Sequence, residues 1–132
     1  MNAAVQVRDG VYEVDLEAEE VVGFDAGERL PFGAGPPTGL PRVVASAASG
    51  STVVAVVDRR PPLVVSYDAG RTWTEAGGGL PPGRGVTVSG DDPDFVVYAA
   101  RNRLYVSTDG GRFWRALAVE LPEIEAIALT GA

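Results

Sequence analysis

The chain has 132 residues, is 45% hydrophobic and carries a net charge of −7, a length and composition that fit one ordered domain, or part of one, and argue against disorder. Cys and His are both absent, which excludes disulfides, thiol chemistry and thiolate metal sites, and removes the commonest general base and transition-metal ligand. All basic residues are Arg, the acidity disfavours general nucleic-acid binding, and there is neither a membrane-length apolar run nor a charged-then-apolar leader after Met1, so the expectation is a cytoplasmic protein without a membrane partner.

In chain order, Val5-Gln6-Val7 and Val11-Tyr12-Glu13-Val14, joined by Arg8-Asp9-Gly10, read as two short strands, and Val21-Val22-Gly23-Phe24 as a third. Two longer units follow. Gly39-Leu40-Pro41 opens the first, which continues with strands at Val43–Ala45, Val53–Val57 and Leu63–Val65 and then the octet Ser66-Tyr67-Asp68-Ala69-Gly70-Arg71-Thr72-Trp73. Gly79-Leu80-Pro81 opens the second, with strands at Val86–Val88, Phe95–Ala99 and Leu104–Val106, and its octet Ser107-Thr108-Asp109-Gly110-Gly111-Arg112-Phe113-Trp114 falls 41 residues after the first. β-branched and aromatic runs alternate with Gly, Pro, Asp and Asn, and no segment carries a helical period. With one more strand after each octet, a unit is a four-stranded meander of the length of a β-propeller blade.

The stretch from Val119 to Thr130 matches the opening of a third unit, where the chain stops, while the N-terminal strands lack an opening strand. The two pieces make a third blade split between the termini, a device that protects an exposed strand edge. The expected fold is therefore all-β, with blade 1 at 3–25 plus 123–130, blade 2 at 40–78 and blade 3 at 80–119. A rival register sets Val21–Gly27 against Val64–Gly70 and makes Asp25 part of a third, degraded octet. Three blades cannot close a ring that needs about four to eight. The expectation is a six-bladed homodimer in which each C-terminal strand completes the partner's first blade. A heteromer with a different half-propeller, or a fragment of a longer propeller, is the alternative.

The octets resemble the Asp-box, or BNR repeat, of sialidases, sortilin-type receptors and many bacterial and archaeal propellers. The first matches the pattern Ser-x-Asp-x-Gly-x-Thr-Trp at Ser66, Asp68, Gly70, Thr72 and Trp73; the second keeps Ser107, Asp109, Gly111 and Trp114 but has Phe113 where Thr is usual. The resemblance covers residues 40–132 well and 1–39 weakly. These residue types suit a tight turn: a carboxylate accepts backbone N–H groups, Gly permits positive φ, and Trp folds into an adjoining layer. The resemblance implies that the boxes are structural and lie on a rim away from the ligand face. A sialidase-like glycosidase would need an arginine triad, a Tyr nucleophile with a Glu partner and an acid/base Asp. No motif fixes such a set here, since Tyr12, Tyr67, Tyr98 and Tyr105 fall in strands or in the box. Asp91-Asp92-Pro93-Asp94 lacks the Gly and Glu spacing of a calcium loop and reads as a solvated turn. Gly77-Gly78-Gly79 and Gly83-Arg84-Gly85 are not phosphate loops, because neither leads through Lys-Ser/Thr into a helix.

Charge is unevenly distributed over the loops of this register. One face receives Arg8, Arg29, Arg42, Arg59, Arg60, Arg84, Arg101 and Arg103 against Asp9, Asp25, Glu28, Asp58, Glu120 and Glu123. The other receives Asp15, Glu17, Glu19, Glu20, Asp68, Asp91, Asp92, Asp94 and Asp109 against Arg71 and Arg112. Arg suits a bidentate grip on carboxylate or phosphate. The expected function is a non-enzymatic binding or scaffold module. Its candidate ligand-binding residues are Arg8, Arg42, Arg59, Arg60, Arg84, Arg101 and Arg103, which would recognise an anionic ligand or a protein partner. No cofactor or metal is expected. A sialidase-like or other carbohydrate-active propeller hydrolase is the alternative.

Overall fold

The computed structural model of the chain describes residues 1–31 and 35–130. The described residues contain no helix. They form twelve strands: β1 Asn2–Val7, β2 Gly10–Asp15, β3 Glu20–Ala26, β4 Val43–Ser49, β5 Thr52–Val57, β6 Leu63–Ser66, β7 Thr74–Ala76, β8 Gly85–Val88, β9 Val96–Ala99, β10 Arg103–Ser107, β11 Arg115–Glu120 and β12 Ile124–Thr130. The all-β expectation holds, and the strands make three four-stranded antiparallel sheets. Strands β4 to β7 form the sheet of the first octet and β8 to β11 that of the second, each a simple meander. The remaining sheet has the order β12-β1-β2-β3 and joins the two ends of the chain.

The rival register and one expectation are corrected. Asp25 lies inside β3, opposite Val11 of β2, so it cannot head a third octet turn. The turn that corresponds to the octets is the one between β2 and β3, at residues 16–19. Strand β12 pairs with β1 of its own chain over six residue pairs, from Asn2 opposite Thr130 to Val7 opposite Ile124. Closure at the termini is therefore intramolecular rather than an exchange between chains. Pairing within the chain covers the edge of β1 without the entropic cost of a second molecule.

Alternation along the strands decides the packing, because successive side chains point to opposite sheet faces. The second-octet sheet is buried on both sides. One face meets Ala3, Val5, Val7 and Val14 of the terminal sheet through Val97, Ala99, Leu104, Val106 and Leu117. The opposite face meets Val54, Val56, Leu63 and Val65 of the first-octet sheet through Val86, Val88, Val96 and Tyr98. Sheets buried on both faces read as continuous apolar runs, which is why β5 is Thr-Val-Val-Ala-Val-Val and is buried throughout. A smaller cluster on the far face of the first-octet sheet joins Ala55, Val57 and Val64 to Leu40, Val43 and Trp73.

Octet turns and a candidate anion-binding cleft

Each octet folds into a turn around one carboxylate. In the first, Ser66 donates its hydroxyl to Asp68 Oδ1 at 2.7 Å and accepts the N–H of Gly70 at 2.8 Å. Asp68 Oδ1 also accepts the N–H groups of Arg71 and Thr72 at 3.1 and 2.8 Å, and Oδ2 accepts the Thr72 hydroxyl at 2.5 Å. The second turn repeats this: Ser107 donates to Asp109 at 2.7 Å, and Asp109 accepts from Arg112 and Phe113 N–H at 3.1 and 3.0 Å. Gly70 and Gly111 take φ of 89° and 94°, values that a Cβ disfavours. The β2–β3 turn is a reduced version, in which Asp15 Oδ1 accepts the N–H groups of Glu17 and Ala18 at 2.9 and 3.0 Å.

Phe113 marks the difference between the two octets. It is 79% exposed and has no hydroxyl for Asp109, where Thr72 supplies one to Asp68. Phe113→Thr is expected to raise the Tm by a few degrees, since it adds a charge-assisted hydrogen bond and removes an exposed ring. An unchanged or lower Tm in a circular-dichroism melt would count against this account of the turn.

The same bonds hold both carboxyls below the ordinary carboxylate value of 3.8. For Asp68 the largest cause is the Thr72 hydroxyl, followed by the Thr72 N–H and the Ser66 hydroxyl; for Asp109 it is the Phe113 N–H, then the Ser107 hydroxyl. A depressed folded-state value means that the stabilisation is complete above the unfolded value and is lost as pH falls below it. The urea midpoint is therefore expected to drop from pH 3.8 downward, and Asp68→Asn is expected to flatten that acid limb. Parallel acid limbs in the two proteins would contradict the assignment.

The two octets also lock to each other. Tyr67, from the first, donates its hydroxyl to the carbonyl of Gly110 in the second at 2.9 Å. Arg112 stacks over the same ring at 4.9 Å from its centroid. The sequence treats Tyr67 as a variable octet position, but in the fold it is the bridge between two sheets.

Of the seven candidate arginines, three converge. Arg84 precedes β8, and Arg101 and Arg103 flank the β9–β10 turn; together with Pro81, Pro82 and Tyr105 they line a cleft of about 300 Å³. Main-chain bonds fix its rim. Arg84 N–H donates to Ala99 O at 2.7 Å, Ala100 N–H to Arg103 O at 3.0 Å, Leu121 N–H to Asn102 O at 2.9 Å and Ile124 N–H to Arg101 O at 2.7 Å. Below it the Tyr98 hydroxyl donates to Pro81 O at 2.6 Å.

The other four lie outside this cleft. Arg59 pairs with Glu75 of β7 at 2.9 Å. Arg8, Arg42 and Arg60 are exposed, and none makes an ion pair among the described residues. Arg42 takes a φ of 60° and offers its carbonyl to Asp58 N–H at 2.9 Å. Arg29 is a tie rather than a ligand candidate: its guanidinium donates to Val7 O at 2.7 Å, to Glu125 at 2.9 Å and to the carbonyl of Arg8.

Glu120 and Glu123, which the sequence counts only as part of a charge balance, are the residues that reasoning from composition missed. Glu120 meets Arg103 at 2.6 Å. One oxygen of Glu123 lies 3.1 Å from Arg101 Nε and 3.8 Å from Arg84 Nη2. The repeat held a signal for Glu123. Leu40-Pro41 is followed directly by Arg42 and Leu121-Pro122 directly by Glu123, each just before an opening strand.

No protein-family model matches the chain, and no curated protein matches it significantly. Among solved structures it is similar to the crystal structure of the Niastella koreensis GH74 enzyme, with 22% identity and a TM-score of 0.48 over 91% of this chain and 18% of that one. The chain thus spans less than a fifth of that enzyme's length.

Proposed function

We propose that the chain is a non-enzymatic β-propeller module in which each four-stranded sheet is one blade, and that it recognises an anionic group on its arginine-bearing face. The observation that carries this reading is the convergence of Arg84, Arg101 and Arg103 on one cleft. Main-chain hydrogen bonds hold the backbone at all three positions, which fixes where the side chains start, and the planar guanidinium suits an anion. The Asp-box-like octets lie in the turns after β6 and β10, between the paired strands β6–β7 and β10–β11. Their bonds are spent inside the turn, which supports a structural role for Ser66, Asp68, Gly70, Thr72, Trp73, Ser107, Asp109, Gly111 and Trp114.

The same reading completes the ring from two copies. Each copy, closed at its own termini, contributes three blades. The terminal sheet of one protomer meets the first-octet sheet of the other, twice, about a two-fold axis. Light scattering is expected to give twice 13.7 kDa; a monomeric mass at every concentration and salt level would rule out the two-chain ring.

Anion recognition is tested with inorganic phosphate as probe. Arg84→Ala/Arg101→Ala/Arg103→Ala is expected to weaken calorimetrically measured binding at least about tenfold, the loss of one or two charge-assisted bonds. Arg8→Ala/Arg42→Ala/Arg60→Ala is expected to leave it near the starting value. Phosphate affinity that is the same in both triple variants, or absent from the unmodified protein, would remove the reading.

A further inference from the structure

We infer that the groove between the first- and second-octet sheets takes an extended segment of a partner protein, one in which an acidic residue adjoins a bulky apolar one. The repeat supplies the comparison. At the outer edge of the second-octet sheet, β11 is met by Glu19 from the β2–β3 turn of the neighbouring terminal sheet. Glu19 Oε1 accepts the N–H of Ala118 at 2.7 Å, and Oε2 accepts from the Arg115 guanidinium at 2.7 Å. A carboxylate from the next sheet's turn thus covers that strand edge. β7 is the corresponding outer strand of the first-octet sheet. With Trp73 aligned on Trp114, Thr74 and Gly77 stand where β11 has Arg115 and Ala118. The turn that faces them from the next sheet is the second octet, and it presents a cation, Arg112, in place of a carboxylate. Between turn and strand lies an open groove of about 520 Å³, whose lining includes Tyr67, Thr74, Gly77, Gly78, Gly111 and Arg112.

Arg112 is held in place for a carboxylate. Its Nη1 donates to the Asp109 carbonyl at 2.6 Å and its guanidinium lies over the Tyr67 ring, yet it makes no ion pair among the described residues. Glu75, the other charged residue of the lining, is paired with Arg59. It sits opposite Val64, so its side chain points to the far face of the first-octet sheet and leaves Arg112 without a counter-charge. A second hollow of about 390 Å³ adjoins the groove, sharing Gly78 and Arg112 with it, and its walls include Leu80, Tyr105, Phe113 and Trp114. The exposed Phe113 ring stands at this hollow, and the loss of stability assigned to it above is what a residue kept for contact would show. An uncovered strand edge, a fixed cation and an aromatic wall together suit a peptide: main chain beside β7, acid on Arg112, apolar side chain against Phe113. Only Tyr105 is shared with the lining of the three-arginine cleft, so this is a separate site.

The experiment is an NMR titration of the unmodified protein with the blocked peptide acetyl-Gly-Glu-Phe-Gly-amide. The backbone N–H resonances of Gly77 and Gly78 and the indole Nε–H of Trp114 are expected to shift together. Exchanging the peptide's Glu for Gln is expected to weaken binding at least about tenfold, the loss of one charge-assisted contact, and Arg112→Gln should do the same from the protein side. The Gln peptide reads the carboxylate without altering the protein, so it decides the matter even where the Arg112 variant disturbs its own turn. Exchanging the peptide's Phe for Ala should weaken binding at least about fivefold. Equal affinity for the Glu and Gln peptides would overturn the role given to Arg112, and equal affinity for the Phe and Ala peptides that given to Phe113. Shifts at residues 84 and 101–103 instead would put the acid in the three-arginine cleft, overturning the groove and leaving the anion reading standing. No shift at Gly77 and Gly78 at millimolar peptide would overturn the inference, while phosphate calorimetry decides the three-arginine reading independently.

Discussion

Ending the chain at Pro122 is expected to abolish cooperative folding. The truncation removes β12, which pairs with all six residues of β1. It also removes Ile124, which is fully buried, and the partly buried Ile127 and Leu129 that pack beside it on the core shared with the second-octet sheet. Burial of a single aliphatic side chain is worth roughly 1.5–3 kcal/mol, and a domain of this size is stable by only about 5–15 kcal/mol in all. Three such residues, together with a strand ladder whose loss would leave β1 as a bare edge, account for a large part of that total. Far-ultraviolet circular dichroism and proton NMR dispersion should show an unfolded or fluctuating chain, and a peptide of residues 123–132 added in trans should restore native dispersion. A truncated protein that still melts cooperatively near the original Tm would show that the closing strand is dispensable. Because β12 seals its own chain's sheet, formation of that sheet in refolding should be first-order and independent of concentration, and only the later association of two chains should depend on it.

That closing strand shows where sequence reasoning succeeded and where it stopped. The alternation of β-branched residues and the turn residues between them located ten of the twelve strands, since strand periodicity is a local property, while β7 and β11 were expected only as one more strand after each octet. Which molecule β12 would pair with is not local, and the assumption that three blades demand strand exchange pointed to the wrong chain. The octets were legible because their Ser, Asp and Gly positions serve bonds within a few residues of themselves. The cleft was legible only as a list. The sequence assigns seven arginines to loops of one face, but the grouping of Arg84, Arg101 and Arg103 depends on how the 81–84 loop lies against the β9–β10 turn. Glu120 meets Arg103 across the β10–β11 ladder of one sheet, and Glu123 meets Arg84 and Arg101 from the turn that leads into β12. Charge counting sums such groups without seeing that they touch.

Tyr98→Ala is expected to cost about 3–5 kcal/mol, the range for deleting a large ring from a core, and Tyr98→Phe about 1 kcal/mol, the worth of one hydrogen bond. Tyr98 is fully buried. It lies edge-on to Trp114 at 5.9 Å and to Tyr105 at 6.2 Å, ring centre to ring centre, an arrangement favoured by aromatic quadrupoles. Its hydroxyl reaches out of this cluster to Pro81 O at 2.6 Å, at the root of the loop that carries Arg84. The loop is seated so closely that a Cβ on Gly83 would fall 2.6 Å from Tyr98 Cζ and 2.7 Å from Val56 Cγ1. Gly83→Ala is therefore also destabilising, by about 1–3 kcal/mol. It should be less so in the Tyr98→Phe background, where the nearest atom is gone, and a double-mutant cycle measures that coupling. Burial, with a smaller contribution from Tyr105, raises the Tyr98 phenol above the ordinary tyrosine value of 10.0. A raised folded-state value means that stability is complete below pH 10 and falls as pH climbs past it, a loss that Tyr98→Phe should lessen. The functional consequence follows from the same bond. Tyr98→Phe touches no ligand group, yet by releasing Pro81 it loosens the position of Arg84, so it should weaken phosphate binding while Arg59→Ala, outside the cleft, does not. Equal phosphate affinity in Tyr98→Phe and the unmodified protein would mean that the loop holds its place without the buried tyrosine.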